Sequence, residues 1–138
     1  MSMPYRILSH IADLKIKATG KNLPDVFINA ALAIASQQSP EAKKNEDEPW
    51  QEILLQSFDL PSLLVDWLNE ILYQSEASQR VYLDFEILEF SKEPPSIKAK
   101  IRGPRVPTKN IEIKAATYHE LEIKKAKDGW EAVVVLDI

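Results

Sequence analysis

The seven residues EAVVVLD, 131–137, carry apolar side chains at both parities of an extended chain. Successive side chains of a strand point to opposite faces. A run of this kind therefore needs cover above and below and neighbours on both edges, the position of a central strand. It ends oddly: Asp137 follows Leu136 directly, and Ile138 is the last residue. A carboxylate thus stands at the tip of the strand that has to be most enclosed, with the main-chain carboxylate of Ile138 fixed beside it.

The rest of the chain supplies what such a strand needs. In DLKIKATG, 13–20, Leu14, Ile16 and Ala18 alternate with Lys15, Lys17 and Thr19, the period of a half-buried strand. Asp13 shares the parity of the lysines and belongs on the polar face. NLPDVFINAALAIAS reads as a helix with Asn22 as cap, Pro24 in the first turn and Asp25 at the positive N-terminal end. A second helix begins in DLPSLLVDWLNEILYQ, with Asp59 as cap, Pro61 in the first turn and an apolar stripe through Leu60, Leu63, Leu64, Trp67, Leu68, Ile71 and Leu72. Its spacing marks these aromatics as core. Between the helices, the polar segment 36–49 predicts a mobile loop, and WQEILLQSF predicts a strand.

Beyond the second helix the pattern is all strand. Val81, Leu83, Phe85 and Ile87 alternate in one, and Ile97, Ala99 and Ile101 in the next. RGPRVP is a turn or an edge, because proline has no N–H for a ladder. NIEIKAATYHELEIKK alternates through Ile111, Ile113, Ala115, Thr117, Leu121 and Ile123, and KDGW is a tight turn. Helices grouped ahead of a run of strands predict an α+β fold, a single compact domain over 1–138 with two main helices packed on one side of a mostly antiparallel or mixed β-sheet.

Charge is unevenly spread. The net charge is −4, yet residues 1–91 hold 7 basic and 14 acidic side chains, and residues 92–127 hold 10 basic and 4 acidic. This predicts either a positive edge on an acidic body or simply a solvated strand face. With no cysteine, thiol catalysis, zinc–thiolate sites and disulfides are excluded. No apolar run approaches the ~18 residues of a membrane span. The first ten residues lack the basic start and apolar stretch of a signal peptide, so a cytoplasmic protein without membrane association is expected.

Few residues remain to carry chemistry. Asp137, the carboxylate of Ile138 and, if the strands are neighbours, Asp13 would form an all-oxygen group. Such donors suit a hard divalent ion, calcium, magnesium or manganese; otherwise the three lie apart in turn and solvent. His119 shares the parity of an apolar strand face, which predicts a core histidine, and His10 is placed to be a local partner of Asp13. Lys114 lies on polar parity beside Glu112. It is either solvated or aimed at a phosphate or a partner carboxylate. No nucleophile motif, phosphate loop or metalloprotease helix is present.

Taken in order, SHIADLKIKATG, LPDVFINAALAIA, LPSLLVDWLNEILY, EIKAATYHELEI and the terminal VVVLDI resemble the archease family over nearly the full length. Ile11 and Lys15 stand where that family more often has threonine and glycine, and GPRVPTKNIEI is shorter and more basic than its usual counterpart. The resemblance implies a protein cofactor, not an enzyme, of an RtcB-type RNA ligase acting in tRNA splicing and RNA repair. Such a cofactor promotes guanylylation of the ligase histidine and multiple turnover, and meets tRNA or RNA only through the ligase. The resemblance further implies that Asp13, Asp137 and Ile138 hold a divalent metal ion, calcium first, and that Lys114 is functional in activation. Two other readings remain beside it: a stand-alone metal-dependent phosphohydrolase or nuclease, and a small RNA-binding module.

Overall fold

Both helices begin at the capping residues expected of them. Asn22 accepts a hydrogen bond from the Asp25 N–H at 2.9 Å and starts α1 (Leu23–Gln38). Asp59 accepts from the Ser62 N–H at 2.8 Å and starts α2 (Leu60–Ser78). A side-chain oxygen at this position satisfies one of the N–H groups that a first helical turn leaves over. The structure, a computed structural model, describes residues 4–8 and 13–138. His10 and the rest of 9–12 lie outside these.

In chain order the elements are β1 (Tyr5–Leu8), β2 (Asp13–Gly20), α1, β3 (Gln51–Gln56), α2, β4 (Asp84–Lys92), β5 (Pro95–Arg102), β6 (Ala115–Ala116), β7 (Glu122–Ala126) and β8 (Gly129–Asp137). The α+β class holds, and the strands divide into two sheets rather than one. The first runs β1-β2-β8-β6, with β7 also on β8, and the second runs β3-β5-β4. Every pairing among the described residues is antiparallel. β8 is central, with β2 along one edge and β6 and β7 sharing the other. Its apolar residues on both parities follow from that place: Ala132, Val134 and Leu136 are buried on one face, and Val135 is buried on the other.

The helices serve both sheets. α1 packs on β1, β2 and β8 of the first and reaches β4 of the second, while α2 touches β3 and β5 of the second and β6 and β7 of the first. Two-sided contact explains why α1 is buried around most of its circumference, from Val26 and Phe27 to Ala33, Ile34 and Ala35. Trp67 ties the layers. Its Nε1–H donates to the Phe27 carbonyl at 2.9 Å, its ring meets Phe85 of β4 edge-on, and Phe27 meets Phe90 in the same way. Among the described residues no helix is long and apolar enough to cross a membrane.

Two local expectations change, and a third is narrowed. α1 runs to Gln38, so the segment expected as loop from residue 36 begins after it. That segment is tethered: Glu48 pairs with Arg80 at 2.5 Å, Lys44 with Asp84 at 3.5 Å, and the Glu46 carbonyl accepts from Arg102. Part of the basic block is neutralised within the sheets: Lys100 pairs with Glu86, Arg102 with Asp84, and Lys124 with Glu122 and Glu131. The strand expected across 110–125 is broken into β6 and β7. From Ala116 to Glu122 the chain advances six residues while its partner β8 moves only three, from Leu136 to Val133. The surplus loops out through Glu120, whose φ is 54°.

Candidate functional site

At one end of the first sheet, β2 and β8 pair in a register that sets Asp13 directly opposite Asp137. Opposed residues in an antiparallel pair present their side chains to the same face, with Cβ atoms ~4.5–5.5 Å apart. Lys15 and Lys17 share that face, as the alternation of 13–20 requires. Asp13 is half-buried, with Oδ1 shut off from solvent, whereas Asp137 and Ile138 are exposed. Like charges directly opposite are unfavourable, so a cation between them would be stabilising.

β6 closes the other side of the same tip. Ala115 is registered against Asp137, and the Lys114 N–H donates to the Asp137 carbonyl at 2.8 Å. Two residues form a weak strand by themselves, and α2 secures them. The Asn69 side chain accepts from the Ala116 N–H at 2.7 Å and donates to its carbonyl at 3.2 Å, standing in for a missing neighbour strand. On the far side of β6, Thr117 gives both its N–H and its hydroxyl to the Val135 carbonyl, at 3.0 and 2.8 Å. Neither Asn69 nor Thr117 was singled out by sequence. An amide beside the apolar stripe of α2, at Asn69 between Leu68 and Glu70, was the one visible signal.

The structure thus gathers Asp13, Asp137, Ile138 and the backbone of Lys114 at one pole. The Lys114 side chain is exposed and lines a groove of about 500 Å³ with Tyr73, Glu76, Lys109 and Glu112. His119 is not a core residue. The chain leaves the ladder at Thr117, and Tyr118 and His119 are exposed on the loop that follows. Among the described residues no three His, Cys, Asp or Glu side chains lie close enough to hold a metal. A metal at this pole would need a main-chain oxygen or a partner's ligand as its third donor.

Farther along the same face, Lys17 and Lys124 flank Glu131 at 3.3 and 3.4 Å, and Lys15 meets Glu120 at 3.3 Å. Burial pushes the Glu131 carboxyl up, and the hydrogen bonds and charges of Lys17 and Lys124 more than reverse it, holding it below the usual carboxylate range. Lys17 and Lys124 are therefore engaged with Glu131 of β8, and Lys15 with Glu120 of the loop between β6 and β7.

Residues 5–138 match the Archease protein family. This chain belongs to the archease family. The protein archease of Methanosarcina barkeri is 44% identical over 140 residues, covering 97% of this chain and 95% of that one. That of Saccharolobus islandicus is 32% identical, covering 97% and 98%. The solution structure of Methanobacterium thermoautotrophicum protein 1598 shares the archease fold seen here, with a TM-score of 0.78 at 26% identity over 98% of this chain and 99% of the other. A Thermotoga maritima crystal structure, described as an archease and possible chaperone, has a TM-score of 0.66 at 19% identity over 100% and 98%, a likeness of fold.

Proposed function

We propose that this archease activates an RtcB-type RNA ligase in tRNA splicing or RNA repair, promoting guanylylation of the ligase histidine and repeated turnover while performing no ligation itself. The observation that carries the reading is the register of β2 on β8, which holds Asp13 and Asp137 face to face with the Lys114 backbone bonded to the same residue. That arrangement brings together the residues the family resemblance marks, at the exposed end of the central strand. It suits a protein that presents charge to another protein's active site.

The donor set fits a divalent ion. Asp13, Asp137 and a main-chain oxygen of Ile138 would hold it, and three oxygen donors favour calcium, with magnesium or manganese as alternatives. When bound, the ion would neutralise the two carboxylates and offer positive charge to phosphate oxygens. Asp13, anchored in the ladder and half-buried, fixes the position of the pair. Asp137, exposed, completes the ligand set at the surface. Lys114 places an ammonium at the neighbouring groove, where a phosphate or a carboxylate of the ligase can meet it.

The test is guanylylation of the cognate ligase with GTP and divalent metal, with and without this protein. Faster guanylylation and more than one RNA joined per ligase are expected, and Asp13→Ala and Lys114→Ala should lose at least tenfold of the stimulation while keeping the far-ultraviolet circular dichroism of the native chain. Guanylylation unchanged by the native protein would overturn the reading. Full stimulation by both variants would leave the activity standing and remove these residues from it.

A further inference from the structure

The outer face of the second sheet carries apolar side chains along its β3 edge that the described residues leave partly or largely exposed. Trp50, Leu54 and Phe58 are 38%, 66% and 86% exposed. Leu54 lies in β3 at the parity opposite to buried Ile53, with Glu52 and Gln56 beside it on the same face; Trp50 precedes the strand and Phe58 follows it in a bend. β3 is an edge strand whose one strand neighbour among the described residues is β5. The other edge of this sheet, β4, is disrupted by a register shift between Ile87 and Glu89, a common guard against edge-to-edge pairing. β3 has no such guard: its register on β5 is unbroken from Gln51 to Gln56. Trp50 is moreover held in place, with the Arg102 guanidinium at 4.1 Å and the Lys100 ammonium at 4.6 Å from the ring centre.

We propose that β3 pairs antiparallel with β3 of a second copy of this chain, about a two-fold axis at Leu54, joining two three-stranded sheets into one of six. In that register β3 is complementary to itself: Glu52 falls opposite Gln56 of the second copy, Ile53 opposite Leu55, and Leu54 opposite Leu54. Apolar meets apolar and no charge meets its like; moving the axis to Glu52 would set two carboxylates against each other. An axis that returns each residue to its own symmetry mate is the geometry of a two-fold dimer. The charges beside the stripe are balanced within the sheet, Lys100 by Glu86 and Arg102 by Asp84. Glu52 and Glu89 likewise lie beside Lys100 and Lys98, so acids and bases are interspersed across the face, and the self-complementary register of β3 favours a second copy over a charged foreign strand.

This inference is independent of the ligase reading and is tested without a ligase. Sedimentation velocity across a wide concentration range should show a monomer–dimer equilibrium, and Leu54→Lys should weaken it at least tenfold. Because Leu54 is 66% exposed, that variant should keep its fold, checked by circular dichroism. The register has its own test, because the chain holds no cysteine. Leu54→Cys should cross-link to itself under mild oxidant, since directly opposed Cα atoms lie ~4.5–5.5 Å apart, within disulfide reach. Glu52→Cys should not cross-link to itself, as its mate would lie about 13 Å along the strand, but should cross-link to Gln56→Cys when the two are mixed. A monomer at every concentration overturns the proposal, as does undiminished association of Leu54→Lys, or Glu52→Cys cross-linking as readily as Leu54→Cys.

Discussion

Two carboxylates held opposite one another on adjacent strands cost folding free energy until something positive lies between them. Asp13 and Asp137 are so placed by the ladder of β2 and β8, and an opposed like-charge pair is worth roughly 0.2–1 kcal/mol against the fold. Asp137→Asn removes one charge and keeps the side-chain shape at an exposed position. In chelator this variant should melt close to the native protein. On adding calcium the native protein should melt higher. An ion at a hundred times its dissociation constant stabilises the native chain by about 2.7 kcal/mol, and the variant should gain little of it. Thermal melts with and without calcium decide the matter; an equal calcium-induced shift in both proteins would show that Asp137 is not a ligand.

At the level of elements, what the sequence reveals depends on range. Caps, first-turn prolines and the stripe of α2 are local features, and Asn22, Asp59 and Trp67 fall where pattern alone places them. Asp13 belongs with Lys15 and Lys17 because alternation is local too. The meeting of Asp13 with Asp137 is different in kind. It depends on which strand lies beside which, and no window of residues contains that, so the site could be assembled beforehand only through family resemblance. Alternation also misled across 110–125: it reports which side of a chain is apolar and is blind to a loop-out, so it ran straight through Glu120 and placed exposed His119 in the core. Strand β1 is four residues long, too short for its period to be read, and it went unnoticed. β6 is shorter still, and its position rests on Asn69. Asn69→Ala should leave the N–H and carbonyl of Ala116 without their partner and cost ~1–3 kcal/mol, measured by urea denaturation. Faster amide exchange should be confined to Lys114–Thr117. A loss spread evenly over α2 would mean that Asn69 supports the helix and not the strand.

For the molecule as a whole, the question is whether two sheets that share no strand pairing among the described residues behave as one unit. The core argues that they do. Phe27 of α1 and Trp67 of α2 touch Phe90 and Phe85 of β4, and the same buried cluster contains Ile16 and Leu136 of the first sheet with Ile97 and Ile101 of the second. Neither sheet can leave without exposing the helices that the other needs, so unfolding should be all-or-none, as in most single domains of this length. The three tryptophans report on the three layers: Trp50 beside β3, Trp67 in α2 and Trp130 in β8. In a Trp130→Phe variant, fluorescence follows the second sheet and α2; in Trp50→Phe it follows the first sheet and α2. Within each variant the fluorescence and far-ultraviolet circular dichroism midpoints in urea should coincide. An early fluorescence transition in Trp130→Phe alone would mean that the second sheet opens separately. The cluster around Trp67 would then fail as the joint between the layers, and the Asp13–Asp137 pole would stand on a first sheet able to persist without its partner.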